Sequence, residues 1–377
     1  MKIVVFGAGR VGSAIARDLA AAGEFEVTVA DISTDALKAL AGVEGVTAVQ
    51  ADLGSLDMIQ RLASVHDLVV GAVPGPMGFD TARAVINAGR NLVDISFFEE
   101  DPHPELDALA RDRGVIAVYD AGIAPGFSNL ALGEAERTFD SVERFECYVG
   151  GLPVQRHLPW EYRAVFSPID VIAEYTRPAR LVEHGETVTR TALTEVERLD
   201  FEGVGTLEAF NTDGLRSLLR CDVPFMKEKT MRYPGHAERM QALRDAGFFS
   251  EEEVQVGAVA IRPIDLTAAL LFPAWQLRDE EEDITVMRIE IEGVREDRRE
   301  IWRLDLLDHM DRDTGTTSMA RTTGYTCTAM VRLLAAGLYD GVGFVAPEVV
   351  GRVEGCFDFI RERLAERKVV FTERWMT

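Results

Sequence analysis

The sequence predicts an α/β protein. It is read as an N-terminal doubly wound parallel sheet, a second α+β domain with a mostly antiparallel sheet, and a C-terminal helix returning to the first domain. Three observations predict it. Short apolar runs alternate with segments of helical spacing through residues 1–122. A glycine-rich turn joins the first apolar run to the first helix. From Gly122 onward the alternation gives way to longer segments with β-branched and aromatic residues at alternate positions. The domains are accordingly read as 1–122, 123–318 and 319–377.

The first element is KIVVFGAGRVG, Lys2 to Gly12. Ile3 to Phe6 is an unbroken apolar run, as expected of a strand buried on both faces. Gly7, Gly9 and Gly12 then stand as G-x-G-x-x-G, followed by SAIARDLAAAG, which has helical spacing. The first glycine permits the turn, the second lets a pyrophosphate approach, and the third lets the helix lie close to the strand. Unpaired N–H groups at the helix start, at Arg10 and Val11, then face the phosphates. This is the dinucleotide fingerprint of a Rossmann domain.

Further strands are expected at Val27–Ala30, Thr47–Gln50, Asp67–Val73, Asn91–Ser96 and Val115–Ala121, with helices between them. Asp31 ends the second strand, where a carboxylate accepts hydrogen bonds from the adenosine ribose and repels a 2′-phosphate. Ile32 follows and offers no positive charge. NAD rather than NADP is the expected cofactor. Asp52 after the third strand is a candidate for the adenine side, and equally a cap for the helix near Ser55. Ala72, Val73 and Pro74 suit the wall beside the nicotinamide ribose, although any tight strand exit uses such residues.

Beyond Gly122, AGIAPGFSNLALGEAERTF reads as a glycine–proline turn and then a helix leading away from the sheet. VERFECYVG, ETVTRTALTEV, TLEAFNT and EKTMRYP read as strands. A long two-strand unit follows, ITVMRIEIEGVRE and RREIWRLDLLDHM, turning near Glu296 to Arg299. Met319 to Gly341 is an apolar helix ending on glycine.

Composition sets the outer limits. The chain has 377 residues and 47% hydrophobic content, enough for two or three domains at about 150 residues each. A net charge of −23 argues against nucleic acid or an anionic membrane as partner. No basic-then-apolar leader and no membrane-length apolar run is present, so a cytoplasmic setting is expected. The four cysteines form no C-x-x-C pair, and none of the six histidines has metal-ligand spacing with another, so no metal is expected.

DAGIAPG (Asp120 to Gly126) resembles the saccharopine dehydrogenase-like family. So do YVGGLP (Tyr148 to Pro153), EYRAVFS (Glu161 to Ser167), LEAFNTDG (Leu207 to Gly214), KTMRYPGHAE (Lys229 to Glu238), MARTTGYT (Met319 to Thr326) and GFVAPE (Gly343 to Glu348). In this order they cover nearly the whole chain. The match looks closest to the L-lysine 6-dehydrogenase branch, which implies oxidation of the lysine ε-amine with NAD. Ala124 stands where saccharopine-forming relatives carry Asp; Asp213 and Arg216 stand where lysine dehydrogenases would carry small or hydroxyl residues. A saccharopine-type dehydrogenase and a noncatalytic NAD-binding subunit are the alternatives. A homodimer or homotetramer binding a small amino acid is expected by analogy.

Oxidising a primary amine by hydride transfer needs the neutral amine, so the site must remove a proton from a group with a reference pKa of about 10.4. Asp94 and Asp120 follow the fifth and sixth strands, where open α/β sheets place ligands. Either could anchor the substrate ammonium; Asp120, beside the glycine turn, is the catalytic candidate. His236 in RYPGH is a candidate base or water activator. Lys229 and Arg232 form a candidate carboxylate clamp, Lys229 also being counted as catalytic, and Arg216 competes for the same role. Tyr162 is a candidate aromatic lid, with core packing as its plain alternative.

Overall fold

The computed structural model describes residues 1–98, 102–164, 168–278 and 280–377. The chain forms two compact units, Met1–Asp140 with Ala320–Val370, and Ser141–Met319 with Phe371–Thr377. The last three residues of the EYRAVFS motif lie outside the described residues.

The first unit runs β1 (Lys2–Phe6), α1 (Arg10–Ala20), β2 (Glu26–Asp31), α2 (Thr34–Lys38), β3 (Val46–Gln50) and α3 (Leu56–Ser64). It continues with β4 (Leu68–Gly71), α4 (Gly75–Asn87), β5 (Asn91–Asp94), α5 (His103–Arg113), β6 (Ile116–Val118) and α6 (Phe127–Thr138). The second unit begins with β7 (Ser141–Pro153), α7 (Pro168–Thr176), β8 (Ala179–Glu183), β9 (Glu186–Arg190), β10 (Glu197–Phe201) and β11 (Gly205–Asn211). Then come β12 (Phe225–Arg232), α8 (His236–Asp245), β13 (Val254–Val256), β14 (Val259–Ile261), α9 (Pro263–Trp275), β15 (Asp283–Arg295) and β16 (Arg298–His309). The chain returns to the first unit along α10 (Ser318–Ala335), β17 (Gly343–Val345), α11 (Pro347–Gly351) and α12 (Cys356–Glu366), and β18 (Phe371–Met376) rejoins the second.

The first unit holds a seven-stranded sheet, β17-β6-β5-β4-β1-β2-β3, with every pair parallel. Strand order reverses direction between β1 and β4, which places the glycine turn at the topological switch point where such sheets bind ligands. Ile3 to Phe6 are fully buried, as their apolar run requires of a central strand. The seventh strand, Gly343–Val345, is supplied by the C-terminal segment and pairs with β6. Three residues carry too little periodicity for a sequence to announce them as a strand. The return is fixed by charge and fit. Arg332 on α10 and Arg367 both bond Asp18 of α1, at 2.7 and 2.5 Å, and Arg332 also bonds Glu24 at 2.8 Å. A Cβ on Gly324 would lie 3.3 Å from Ile15, so α10 and α1 run close.

The second unit is a mixed nine-stranded sheet along β10-β11-β12-β7-β15-β16-β18, with β8 and β9 branching from β12. Its pairs are antiparallel except β7 with β12. The long β15–β16 hairpin turns at Glu296 and Asp297, both with positive φ. Helices α7, α8 and α9 supply Tyr175, Met240 and Trp275 to a separate apolar cluster that also takes in Tyr162 and, from β11, Phe210. Among the described residues, no helix is long and apolar enough to cross a membrane.

Candidate functional site

The glycine turn has the geometry that the dinucleotide fingerprint demands. Gly7 has φ of +109°, and a Cβ there would fall 2.4 Å from the Ala72 carbonyl oxygen. On Gly12 a Cβ would fall 2.1 Å from the Gly7 carbonyl oxygen. Gly9 differs: nothing lies within 4 Å of its Cβ position. The open glycine is therefore the middle one, at the N-cap of α1, where no side chain caps the helix. The fingerprint places a pyrophosphate at this helix start, along the backbone of Arg10 and Val11.

Asp31 ends β2 and fastens the turn, because its Oδ2 accepts the Ala8 N–H at 2.6 Å. Its Oδ1 accepts the Ser33 N–H at 2.7 Å, so each oxygen keeps a lone pair for a further donor. Ile32 beside it is exposed. Asp52 is exposed and closes its own turn onto the Gly54 N–H at 2.9 Å. Ala72, Val73 and Pro74 lead from β4 into α4, with Ala72 against the Gly7 turn and Val73 buried. Open cradle, uncapped helix and strand-end carboxylate together fit a dinucleotide.

Asp94, at the carboxyl end of β5, is fully buried. Its Oδ1 accepts the Ser96 N–H at 2.6 Å, whereas its Oδ2 has no hydrogen-bond partner. Ser96 Oγ is likewise buried without one. The carboxyl lies over Gly71, where a Cβ would fall 1.8 Å from Oδ2. Burial pushes its pKa up to about 8, opposed by the Ser96 backbone bond and by the nearby Ser96 hydroxyl, and reinforced by the charge of Asp120. Asp120 follows β6, is buried, and has a φ of +50°. Leaving a buried acceptor oxygen unpaired costs about 1–3 kcal/mol, so Asp94 is held in a state that function must explain.

The turn after Asp120 is locked by its own backbone. Phe127 N–H donates to the Gly122 carbonyl at 2.9 Å, and Gly126 N–H donates to Asn129 Oδ1 at 3.1 Å. Gly126 has φ of +136°, and a Cβ there would strike the Gly122 carbonyl oxygen at 1.9 Å. Thr323 of α10 closes over Gly122, 3.2 Å from where its Cβ would be.

In the second unit, several candidates lie where their assigned roles do not fit. His236 is fully buried, with Nδ1 3.1 Å from the Trp160 carbonyl and Nε2 2.8 Å from the Tyr175 hydroxyl. A carbonyl can only accept, so Nδ1 carries the proton and Nε2 accepts from Tyr175. Burial, helped by the Arg232 charge, lowers its pKa to about 3. His236 is a neutral packing residue, and neither nitrogen is left to serve as a base.

The Lys229–Arg232 clamp also fails, for a reason of register. Both lie on β12, three residues apart, and side chains alternate faces along a strand. Lys229 shares its face with Lys227 and pairs with Glu197 at 2.5 Å and the Glu195 carbonyl at 2.5 Å. Glu197 sits below the usual carboxylate range because these two lysines outweigh its burial. Arg232, on the other face, bonds Glu174 at 2.8 Å and lies 4.6 Å over the Tyr162 ring. Tyr162 is buried edge-on to Trp275, which makes it core rather than lid. Asp213 is held in a two-pronged bond by Arg180, at 2.8 and 2.8 Å. Arg216 opens the short helical turn Arg216–Arg220 with φ of +55°.

Glu228 was not singled out by sequence. It lies on the Arg232 face of β12, 7% exposed, and its buried Oε2 has no hydrogen-bond partner. Burial and the charges of Glu174 and Asp213 push its pKa up to about 8, against the pull of Arg216. Period-two counting back from Arg232 would have put Glu228 on the buried face. No group of acids, histidines and cysteines among the described residues could hold a metal ion.

Comparison with known proteins agrees with this architecture. Residues 3–118 match the saccharopine dehydrogenase NADP binding domain, and residues 122–369 match the saccharopine dehydrogenase C-terminal domain. The chain is 24% identical over 266 residues to the mitochondrial alpha-aminoadipic semialdehyde synthase of Rattus norvegicus, covering 67% of this chain and 29% of that protein. It is 26% identical over 243 residues to the saccharopine dehydrogenase (NADP(+), L-glutamate-forming) of Pyricularia oryzae, covering 60% of this chain and 54% of that one. The match thus spans about a third and about half of those relatives' lengths. Apo saccharopine dehydrogenase (L-Glu forming) from Saccharomyces cerevisiae has the same fold over 100% of both chains, with a TM-score of 0.81 at 19% identity. With both family domains matched in order along nearly its full length, the chain belongs to the saccharopine dehydrogenase family.

Proposed function

We propose that this chain is an NAD-dependent dehydrogenase that oxidises the terminal amine of a small amino acid. L-Lysine is the first substrate to test, giving allysine that closes on its own α-amine to 1-piperideine-6-carboxylate. The observation that carries this reading is Asp94. A carboxyl with one unpartnered oxygen, at the carboxyl end of a central strand, has its pKa near 8. That value suits a group that must take a proton from an alkylammonium with a reference pKa of about 10.4 in mildly alkaline solution. Asp120, as a neighbouring carboxylate, makes the acceptor more basic.

The bound nicotinamide supplies the hydride acceptor. Gly9 and the start of α1 would hold its pyrophosphate, and Asp31 its adenosine ribose. Asp31 with Ile32 favours NAD, since a carboxylate repels a 2′-phosphate and isoleucine gives it no counter-charge. Asp94 takes the ammonium proton, which frees the lone pair that expels hydride from the adjacent carbon. Water then hydrolyses the resulting imine.

A saccharopine-type reaction on a secondary amine is the second reading, favoured by the names of the curated relatives. We further propose a homodimer or homotetramer, to be checked by light scattering.

The test is nicotinamide reduction with NAD and NADP in parallel, against L-lysine, L-ornithine and saccharopine. Turnover of L-lysine with NAD supports the first reading. Turnover of saccharopine alone replaces it with the second. Cofactor binding without reduction by any of them leaves a noncatalytic NAD-binding protein.

A further inference from the structure

The β13–β14 hairpin stands apart from both large sheets. Its strands pair with one another and, among the described residues, with no other strand. Its stem is closed where the Ile264 N–H donates to the Ser250 carbonyl at 3.0 Å, and Thr267 of α9 donates to the Phe248 carbonyl at 2.8 Å. Beyond that closure every residue from Glu251 to Ala260 is exposed. A two-stranded hairpin with neither face covered is marginal in water.

The register sets Val254 opposite Ile261 and Val256 opposite Val259, so one face of the hairpin is wholly apolar. Val254, Val256 and Val259 are 46%, 58% and 59% exposed. Helix α9 follows directly. Its inner face buries Ile264, Thr267, Leu271 and Trp275, while Leu266 and Leu270, one turn apart, are 51% and 66% exposed. A helix apolar on both sides is one that is covered on both sides. From Val254 to Ile261 no residue is charged, although the chain carries −23.

We propose that the β13–β14 hairpin and the outer face of α9 seat against the same elements of a second copy of this chain. The inference deepens the homo-oligomer reading above by naming its surface, and it needs nothing from the assigned reaction. Three features single out a second copy. An exposed strand edge can pair antiparallel with the same edge of an identical strand about a two-fold axis, so two hairpins close into one four-stranded sheet. The exposed apolar side chains, with Phe248 beside them, offer roughly 500 Å² per chain; two copies would bury about 1,000 Å², the least expected of a specific interface. Two strongly acidic copies repel across most of their surface, and an uncharged stretch lets them meet without opposing like charges. A basic partner would be drawn to the acidic surface instead.

The experiment is light scattering of the full chain over a dilution series, with amide hydrogen exchange of residues 254–261. Wild type is expected to have twice the mass of one chain, or a multiple of that. Val256→Glu with Val259→Glu puts two charges on the apolar face, at positions already exposed in a single chain. The double variant should dissociate at least about a hundredfold more readily, halve in mass, and exchange the 254–261 amides faster than wild type. Unchanged mass in the folded variant overturns this inference and leaves the homo-oligomer reading standing. A wild type that remains a single chain at every concentration overturns both. Equal exchange at 254–261 in wild type and variant shows that no second copy covers the hairpin, and overturns the proposal too. Should the double variant not fold, Leu270→Glu on α9 takes its place with the same outcomes.

Discussion

Asp94 and Glu228 are the same device built twice, and their neighbours make them different. Each is a buried carboxyl set over a glycine, Gly71 or Gly214, and each leaves one oxygen without a hydrogen bond. Burial is the leading cause that raises each to about pH 8. Asp94 then faces a second carboxylate, Asp120, whereas Glu228 also has the guanidinium of Arg216 acting on it. A like charge alone makes a proton acceptor. Glu228 has two acids acting on it, Glu174 and Asp213, with Arg216 offsetting part of their charge. Burial supplies the tension in both units, and the neighbouring charges differ.

The sharpest break of this comparison is Asp94→Asn, which keeps size and removes the acceptor. Turnover is expected to fall by about a hundredfold or more, with NAD affinity by fluorescence titration unchanged. Gly71→Ala tests the same point without touching the carboxyl, since its Cβ would displace Asp94 Oδ2. Its loss of turnover should approach that of Asp94→Asn, and wild-type rates would show that the position of Asp94 is immaterial.

Asp31→Ala comes next. Because Asp31 also fastens the Ala8 N–H, affinity for both cofactors drops, but NAD should lose about tenfold more than NADP. An equal loss would reduce Asp31 to a fastener of the turn. Asp120→Asn has a smaller effect on the acceptor itself: with the like charge removed, the alkaline midpoint of activity moves down, by about a unit or less. No movement would separate the two aspartates.

The smallest expected effects are on stability, and their signs oppose one another. Asp94 and Glu228 have folded pKa values above their ordinary 3.8 and 4.5. Their contribution is complete below those ordinary values and is lost as pH rises through about 8. His236 is depressed from 6.5 to about 3, so its contribution is complete above 6.5 and lost as pH falls through about 3. Thermal melting should therefore fall roughly a few degrees between neutral pH and about pH 9. The fall should shrink in Asp94→Asn, while His236→Gln blunts only the acid side.

What a sequence discloses follows from the range of the forces involved. Gly7, Gly9, Gly12 and Asp31 were legible because a tight turn imposes backbone geometry within a few residues. Asp94 and Asp120 were legible as strand-end positions. His236 was misjudged because its two hydrogen bonds come from Trp160 and Tyr175, far away along the chain. The Lys229–Arg232 clamp was misjudged within reach of sequence alone, since strand alternation already puts the two on opposite faces. Glu228 drew no reading of its own within the strand EKTMRYP. Gly214 gives its carboxyl room, which pattern does not reveal.

The most direct test of the account is the pH dependence of kcat/KM for L-lysine and NAD, with Asp94→Asn as control. The account predicts a rise through an apparent pKa near 8 in wild type. That limb should be absent from whatever activity Asp94→Asn retains. The same limb persisting in Asp94→Asn would contradict the assignment of Asp94 as the proton acceptor.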